Sequence, residues 1–264
     1  MNYKLLAADM DGTLLNSESI MTQRTREAIL AAMDRGVLFV PSTGRPMGGL
    51  KRYLPAFDFD LPLILFNGAI AVTAKSGRVL FSQGLDFSCA EVIFARGVAG
   101  GYPVIAWAGE VLFVSCDNEE TSTYQKITGA EVHVTADMEP MRNLGVTKML
   151  WIIPPEDAKR LRDEMLGILG GRVNCHTSQP YLLEFVDAKA SKGLALEAVG
   201  KAYGIAREEM IAVGDGYNDV PMLEYAGLGV AMGNAPEDIK ALCQHVTLGN
   251  DEDGVAKVIE EFLL

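Results

Sequence analysis

Short apolar runs alternate with amphipathic helical stretches at both ends of the chain, and this alternation restricts the fold more than any other feature. At the start, Leu5–Ala8 reads as a buried strand, Thr22–Arg35 as a helix stopped by Gly36, and Val37–Val40 as a second strand. A helix after Pro46 and a strand Leu63–Phe66 follow. Strand, helix, strand order of this kind builds a parallel sheet with right-handed crossovers. The end of the chain repeats it. Ser191 caps a helix to Tyr203, Ile211–Val213 is a buried strand, Asp219–Ala226 a helix, Gly229–Met232 a strand and Gly254–Leu263 a closing helix. The middle reads differently. Helices at Asp86–Gly100, near Thr121–Thr128 and at Pro155–Leu169 mix with strands Val104–Ala108 and Val111–Ser115, joined at Gly109-Glu110. Further strands fall at Lys148–Ile153 and around Arg172–Cys175 and Tyr181–Phe185. Hairpins with segregated helices predict an α+β unit with a mostly antiparallel sheet. The expected fold class is α/β: a doubly wound parallel-sheet, Rossmann-like core over residues 1–82 and 187–264, interrupted by an inserted α+β domain at 83–186.

In open parallel sheets ligands bind beyond the carboxyl ends of the strands, so polar residues just after the buried runs are the first candidates. Asp9-Met10-Asp11-Gly12-Thr13 follows Leu5–Ala8. Asp9 and Asp11, two apart in an extended segment, face the same side, and Gly12 permits a sharp turn. An ordinary Asp-Gly turn would account for Asp11-Gly12 alone. It does not account for Asp9, placed against a buried strand where desolvation penalises a charge. Gly214-Asp215-Gly216-Tyr217-Asn218-Asp219 follows Ile211–Val213 in the same way. Asp219 suits a helix N-terminus by capping and dipole, whereas Asp215 has no such local reason. If both strands are central, Asp9, Asp11, Asp215 and Asp219 converge, and carboxylates so crowded require a cation. Oxygen ligands with no His or Cys pattern select a hard ion, Mg²⁺ first among them.

Two further segments lie at element ends. Ser42-Thr43-Gly44-Arg45 closes the second strand and offers a hydroxyl and an amide beside a glycine, a typical anion cradle and equally an ordinary turn. Lys192 follows the N-cap Ser191, at the positive end of a helix where a cation is electrostatically misplaced. A carboxylate-held metal, a hydroxyl, glycine amides and a lysine at strand ends are the parts needed for phosphoryl transfer.

Charge narrows the partners. The chain has 23 Lys+Arg against 35 Asp+Glu, a formal net charge of −12. Its long-range field repels polyanions, so nucleic acid is not an expected partner. A phosphate site must then make its positive charge locally. With 264 residues, 49% of them hydrophobic and 22% charged, the chain has ordinary globular composition, which excludes low-complexity classes. Cys89, Cys116, Cys175 and Cys243 form no CxxC pair, so they read as reduced thiols. The N-terminus reaches Asp9 too soon for a signal-peptide core. The longest mostly apolar stretch, Leu61 to Ala74, is broken by Pro62, Asn67 and Gly68. No membrane partner is expected, and a soluble cytoplasmic protein is the reading. Trp107, Trp151 and Tyr181 are expected to fill cores. His176, Ser178 and Glu184, near the return to the core, are the candidates for facing a substrate.

The DxDGT at Asp9–Thr13, Thr43-Gly44-Arg45, Lys192-Gly193 and GDxxND at Gly214–Asp219 occur in the order of the four motifs of the haloacid dehalogenase-like superfamily. The chain resembles its Cof-type phosphatases, and the likeness extends through Phe66-Asn67-Gly68-Ala69, Gly229–Ala235 and Asn250–Ala256. The middle matches in length and position the α+β cap, which selects the substrate in that family. The resemblance implies a phosphatase acting on a small phosphorylated metabolite, a sugar phosphate or phosphorylated cofactor, through an aspartyl phosphate. It implies Asp9 as nucleophile and Asp11 as general acid and then base. Mg²⁺ would be held by Asp9, the Asp11 backbone carbonyl and Asp215, with Asp219 behind them or as an occasional ligand. The Met10 backbone, Thr43, Gly44, Lys192 and Asn218 would bind the transferring phosphoryl oxygens. The same motifs serve phosphomutases and phosphotransferases, which pass the phosphoryl group to another hydroxyl. A phospho-acceptor signalling module shares the carboxylates, hydroxyl and lysine, but needs neither Asp11 nor a cap.

Overall fold

The computed structural model describes residues 3–50, 52–57, 59–109 and 111–264. In chain order the strands are β1 (Leu5–Asp9), β2 (Leu38–Ser42), β3 (Pro62–Leu65), β4 (Ile70–Thr73), β5 (Val79–Ser82), β6 (Val104–Ala108), β7 (Val111–Val114), β8 (Val132–Val134), β9 (Val146–Ile152), β10 (Val173–Gln179), β11 (Leu182–Asp187), β12 (Met210–Gly214), β13 (Leu228–Ala231) and β14 (His245–Val246). The helices are α1 (Gln23–Asp34), α2 (Phe87–Ala99), α3 (Glu119–Thr128), α4 (Ala158–Leu169), α5 (Lys192–Tyr203), α6 (Val220–Tyr225), α7 (Glu237–Leu242) and α8 (Gly254–Phe262). They fall into two compact units: Met1–Thr43, Leu50–Ser82 and Ser191–Leu264 form the first, Gly44–Gly49 and Gln83–Ala190 the second.

The first unit is built on an eight-stranded sheet of order β14-β13-β12-β1-β2-β3-β4-β5, parallel from β14 through β3 and antiparallel at β3-β4 and β4-β5. β1 and β12 are direct neighbours, Leu5 paired with Met210 and Ala8 with Val213. One face of the central strands, Leu5, Ala7, Val40 and Ala212, packs on Ala195, Leu196 and Val199 of α5 and Met222 of α6. The alternate side chains Leu6, Ala8 and Phe39 are buried as well, so both faces are covered, as a doubly wound sheet requires. The sheet's hairpin edge, β4-β5, has no counterpart in the sequence reading. The helix expected after Pro46 is only a short 3-10 turn, Met47–Leu50, because Gly48-Gly49 disfavours a longer helix.

The second unit carries a six-stranded sheet of order β10-β11-β9-β6-β7-β8, antiparallel except at β7-β8. Ala106, Met149, Trp151, Leu183 and Phe185 face α2 and α4. The other face holds Trp107 beside Lys148, with Glu184 one strand away. Gly109 of the β6-β7 turn is left-handed, while Glu110 lies outside the described residues. Gly44–Gly49 groups with this unit because the Lys148 Nζ donates to the Gly44 carbonyl at 3.3 Å and Gly48 lies against the Thr128 carbonyl. Trp107 and Trp151 are core residues as expected, but Tyr181, beside the turn at Pro180, is 45% exposed. Among the described residues, no helix is long and apolar enough to cross a membrane.

Candidate active site

The carboxyl ends of β1 and β12, adjacent at the middle of the first unit's sheet, carry the two acidic motifs. After Asp9 the chain turns back at once: the Asp9 and Met10 carbonyls accept from the N–H groups of Leu14 (3.1 Å) and Leu15 (2.9 Å). Gly12, at φ +82°, makes this turn, and a Cβ there would overlap the Asp215 carboxylate. Only glycine lets the two acidic loops close to this distance. Thr13 Oγ1 donates to Asp215 Oδ1 at 2.7 Å, and Asn234 Nδ2 donates to the Gly12 carbonyl at 2.9 Å.

Asp219 is wholly buried and fully engaged. Its Oδ2 accepts from the N–H groups of Asp215 (3.1 Å) and Gly216 (2.9 Å), and its Oδ1 from Lys192 Nζ at 2.5 Å. Lys192, the first residue of α5, is also wholly buried, and its Nζ donates to Asp9 Oδ1 as well. Two carboxylates thus account for a cation at the positive end of a helix.

Carboxylate oxygens of Asp9, Asp215 and Asp219 lie within 4.8 Å of one another. Three carboxylates and one ammonium leave two negative charges uncompensated, and the proton affinities register it. Burial, with Asp219 and Asp215 adding to it, raises the Asp9 carboxyl well above its ordinary value despite the opposing pull of Lys192. Burial pushes Asp215 up to about 6, with Asp219 and Asp11 adding to it and Thr13 and Lys192 opposing. Burial pulls Lys192 down, but Asp219 and Asp9 outweigh it and hold its ammonium above the ordinary lysine value. Among the described residues, the second oxygens of Asp9 and Asp215 accept from no donor. A divalent cation fits this set: it cancels the surplus charge and takes oxygens only.

Asp11 is exposed on the loop after β1, close enough to raise Asp215. Met10 is buried. Thr43 is buried one residue past Ser42, which pairs with Asp9 across β1 and β2. The Thr43 N–H donates to the Ile64 carbonyl at 2.8 Å. Asn218 is half-buried and donates from Nδ2 to Asn67 Oδ1 at 3.0 Å. Gly44 belongs to the second unit. In that unit Glu184 is buried between Lys148 (2.6 Å) and His176 Nε2 (3.4 Å), and the Ser178 side chain lies outside the described residues. Thr13, Ser42 and Asn67 lie inside segments the sequence marks, DxDGT, Ser42–Arg45 and Phe66–Ala69, but their individual surroundings depend on tertiary neighbours.

The sequence matches the haloacid dehalogenase-like hydrolase family over residues 6–259. The chain belongs to that family. It is 29% identical over 265 residues to 5-amino-6-(5-phospho-D-ribitylamino)uracil phosphatase YitU of Bacillus subtilis (strain 168), covering 98% of this chain and 97% of YitU. A solved haloacid dehalogenase-like hydrolase from Bacteroides thetaiotaomicron superimposes with a TM-score of 0.87 at 30% identity, covering 98% of this chain and 99% of the other. The HAD subclass IIB sugar phosphatase BT4131 superimposes at 0.85 with 28% identity, covering 98% of both chains. With phosphatases among such full-length relatives, the chain is an enzyme of the phosphoric monoester hydrolase class.

Proposed function

We propose that the protein is a Mg²⁺-dependent phosphatase that hydrolyses small phosphomonoesters through an aspartyl phosphate on Asp9. The observation that carries this reading is the buried link from Lys192 to both Asp9 and Asp219, with Asp215 beside them. Lys192 holds one oxygen of Asp9, which orients the other for in-line attack on phosphorus. Attack forms the Asp9 oxygen–phosphorus bond and breaks the bond to the leaving oxygen, which takes a proton from Asp11. Asp11 then removes a proton from water, whose oxygen attacks phosphorus and releases inorganic phosphate and the Asp9 carboxylate. Asp9, Asp215 and the Asp11 carbonyl would hold Mg²⁺, with Asp219 behind them, and the ion supplies positive charge against the phosphoryl oxygens. Asp219, with both oxygens engaged, keeps Lys192 charged and ties down the Asp215-Gly216 backbone. The Met10 backbone, Thr43, Gly44, Lys192 and Asn218 complete the phosphoryl site.

The substrate class is a sugar phosphate or a phosphorylated cofactor precursor. Its support is that BT4131 is a sugar phosphatase and YitU is named for a phosphoribityl compound. The division of labour follows: the 1–82 and 187–264 core performs the chemistry and the 83–186 insert selects the leaving group. The net charge of −12 supports a small-molecule partner rather than nucleic acid.

The test is phosphate release from a panel of sugar and polyol phosphates in Mg²⁺ and in EDTA, run in ¹⁸O-labelled water. Hydrolysis with one labelled oxygen in the released phosphate, abolished by EDTA, is expected. Isomerised product without phosphate release would make the protein a phosphomutase. A stable phosphoprotein without turnover would make it a phospho-acceptor module.

A further inference from the structure

Three consecutive residues after β3 occupy the left-handed region: Phe66 at φ +51°, Asn67 at +58° and Gly68 at +91°. Glycine adopts it freely and asparagine tolerates it, but a bulky residue such as Phe66 is strained there. Such a turn persists only where its surroundings over-determine it. Here those surroundings are three of the segments assigned to the phosphoryl site. The Asn67 N–H donates to the Thr43 carbonyl at 3.0 Å, and its Oδ1 accepts from Asn218 Nδ2 at 3.0 Å. Gly68 lies flat on the Ser191 carbonyl and the Lys192 N–H, where a Cβ would overlap both. Asn67 itself is only 4% exposed, so these bonds form away from solvent.

We propose that Asn67 is a positioning residue that sets the Asn218 amide, Thr43 and the start of α5 in one frame. Asn218 stands on a loop, and its amide is free to rotate unless one end is committed. With one N–H spent on Asn67 Oδ1, the other N–H and the carbonyl oxygen keep fixed directions, and a donor oriented before the reaction stabilises developing charge without reorganising. Asn67 touches no reacting atom; it acts through Asn218 and Thr43. The inference rests on the phosphatase reading for its turnover assay, and a binding measurement frees it from that dependence.

Asn67→Gly keeps the left-handed backbone and the N–H to Thr43 while deleting the acceptor. It should lower kcat by about 10- to 100-fold, the scale of losing an orienting partner, with little change in KM. Affinity for orthovanadate in Mg²⁺, measured by calorimetry, should fall as well, whereas the melting temperature should hold. If Asn67 acts through Asn218, the double variant with Asn218→Ala is no worse than Asn218→Ala alone. Asn67→Asp, which keeps an acceptor oxygen and tolerates the backbone, should stay within about tenfold of wild type. It decides the matter should the glycine variant fail to fold. Wild-type kcat and vanadate affinity in Asn67→Gly, multiplicative losses in the double variant, or an Asn67→Asp loss as deep as that of Asn218→Ala would each overturn the proposal. A wild type that releases no phosphate defeats the phosphatase reading instead, and the vanadate comparison then decides this one.

Discussion

Replacing Lys192 by methionine tests the electrostatic design of the site without touching a reacting carboxylate. The methionine fills much of the lysine's volume, so the change isolates the loss of charge. Lys192 and Asp219 are wholly buried and Asp9 is nearly so. Removing one partner of a buried pair costs about 3–5 kcal/mol, because the other charge is left without compensation. Two pairs are broken here, yet the losses do not add. Asp219 retains its two backbone N–H donors, so its carboxylate is not left bare. The expected loss is therefore about 3–5 kcal/mol in EDTA at neutral pH. For a chain of this size it lowers the melting temperature by about 6 to 20 °C. Removing the ammonium leaves three carboxylates without a cation, so Mg²⁺ should bind the variant more strongly and narrow the gap. Urea unfolding followed by far-ultraviolet circular dichroism, with and without Mg²⁺, reads both effects. A loss below about 1 kcal/mol in EDTA, or a gap that Mg²⁺ leaves unchanged, would refute the charge accounting. Turnover of any phosphomonoester should be lost with the variant.

Asp11→Asn should lower turnover by about 10² to 10⁴, the usual share of general acid–base catalysis, while Mg²⁺ affinity by calorimetry stays near wild type because the backbone carbonyl survives. Ser42→Ala should raise stability by about 1 kcal/mol in urea unfolding, since the buried Ser42 Oγ has no hydrogen-bond partner among the described residues; a destabilised variant would show that the hydroxyl is satisfied in solution. Glu184→Gln should cost about 3–5 kcal/mol at neutral pH, followed by the fluorescence of Trp107 and Trp151, which lie in the same unit. Burial works to raise the Glu184 carboxyl, but Lys148 and His176 hold it well below the usual range. Its contribution is thus complete above its ordinary value of 4.5 and lost as the pH falls below it, so the gap between variant and wild type should close in acid.

Most of the core was legible because its elements announce themselves locally. The run Met210–Gly214 is buried at every position, and α5 opens on Ser191, whose Oγ accepts from the Leu194 N–H. The hairpin β4-β5 was not, because β5 is only four residues long and partly exposed, with no clean alternation. α7 escaped for a similar reason: six residues starting after Pro236 give too short a window for a helical period. At the site, Lys192 was legible as a charge in the wrong place, a local anomaly with a distant cause. Asn67 was legible only as the close of a core strand within Phe66-Asn67-Gly68-Ala69, because only the folded chain brings it to Thr43 and Asn218. The buried Lys148–Glu184 pair was equally hidden: its partners lie on β9 and β11, 36 positions apart in sequence.

The charge of the chain and the charge of the site have one explanation. A net charge of −12 repels a phosphomonoester at long range, and the cluster of Asp9, Asp215, Asp219 and Lys192 is itself negative as the chain supplies it. Lysines alone could have made the site attractive, but they would have paired with the nucleophile and masked it. Lys192 avoids this because it is shared: Asp219, anchored by two backbone N–H groups, takes part of its charge and leaves Asp9 one oxygen outside the pair. The remaining positive charge has to come from a cation that leaves that oxygen able to react, and the crowding that raises Asp9 and Asp215 is what makes such a cation welcome. On this reading the two acidic loops are held close by Gly12 so that folding itself creates the demand for the metal. A variant that relaxes the crowding, such as Gly12→Ala with its Cβ against Asp215, should therefore lose Mg²⁺ affinity even though every carboxylate is still present. Unchanged Mg²⁺ affinity by calorimetry in a folded Gly12→Ala variant would show that the loops can part without loosening the site.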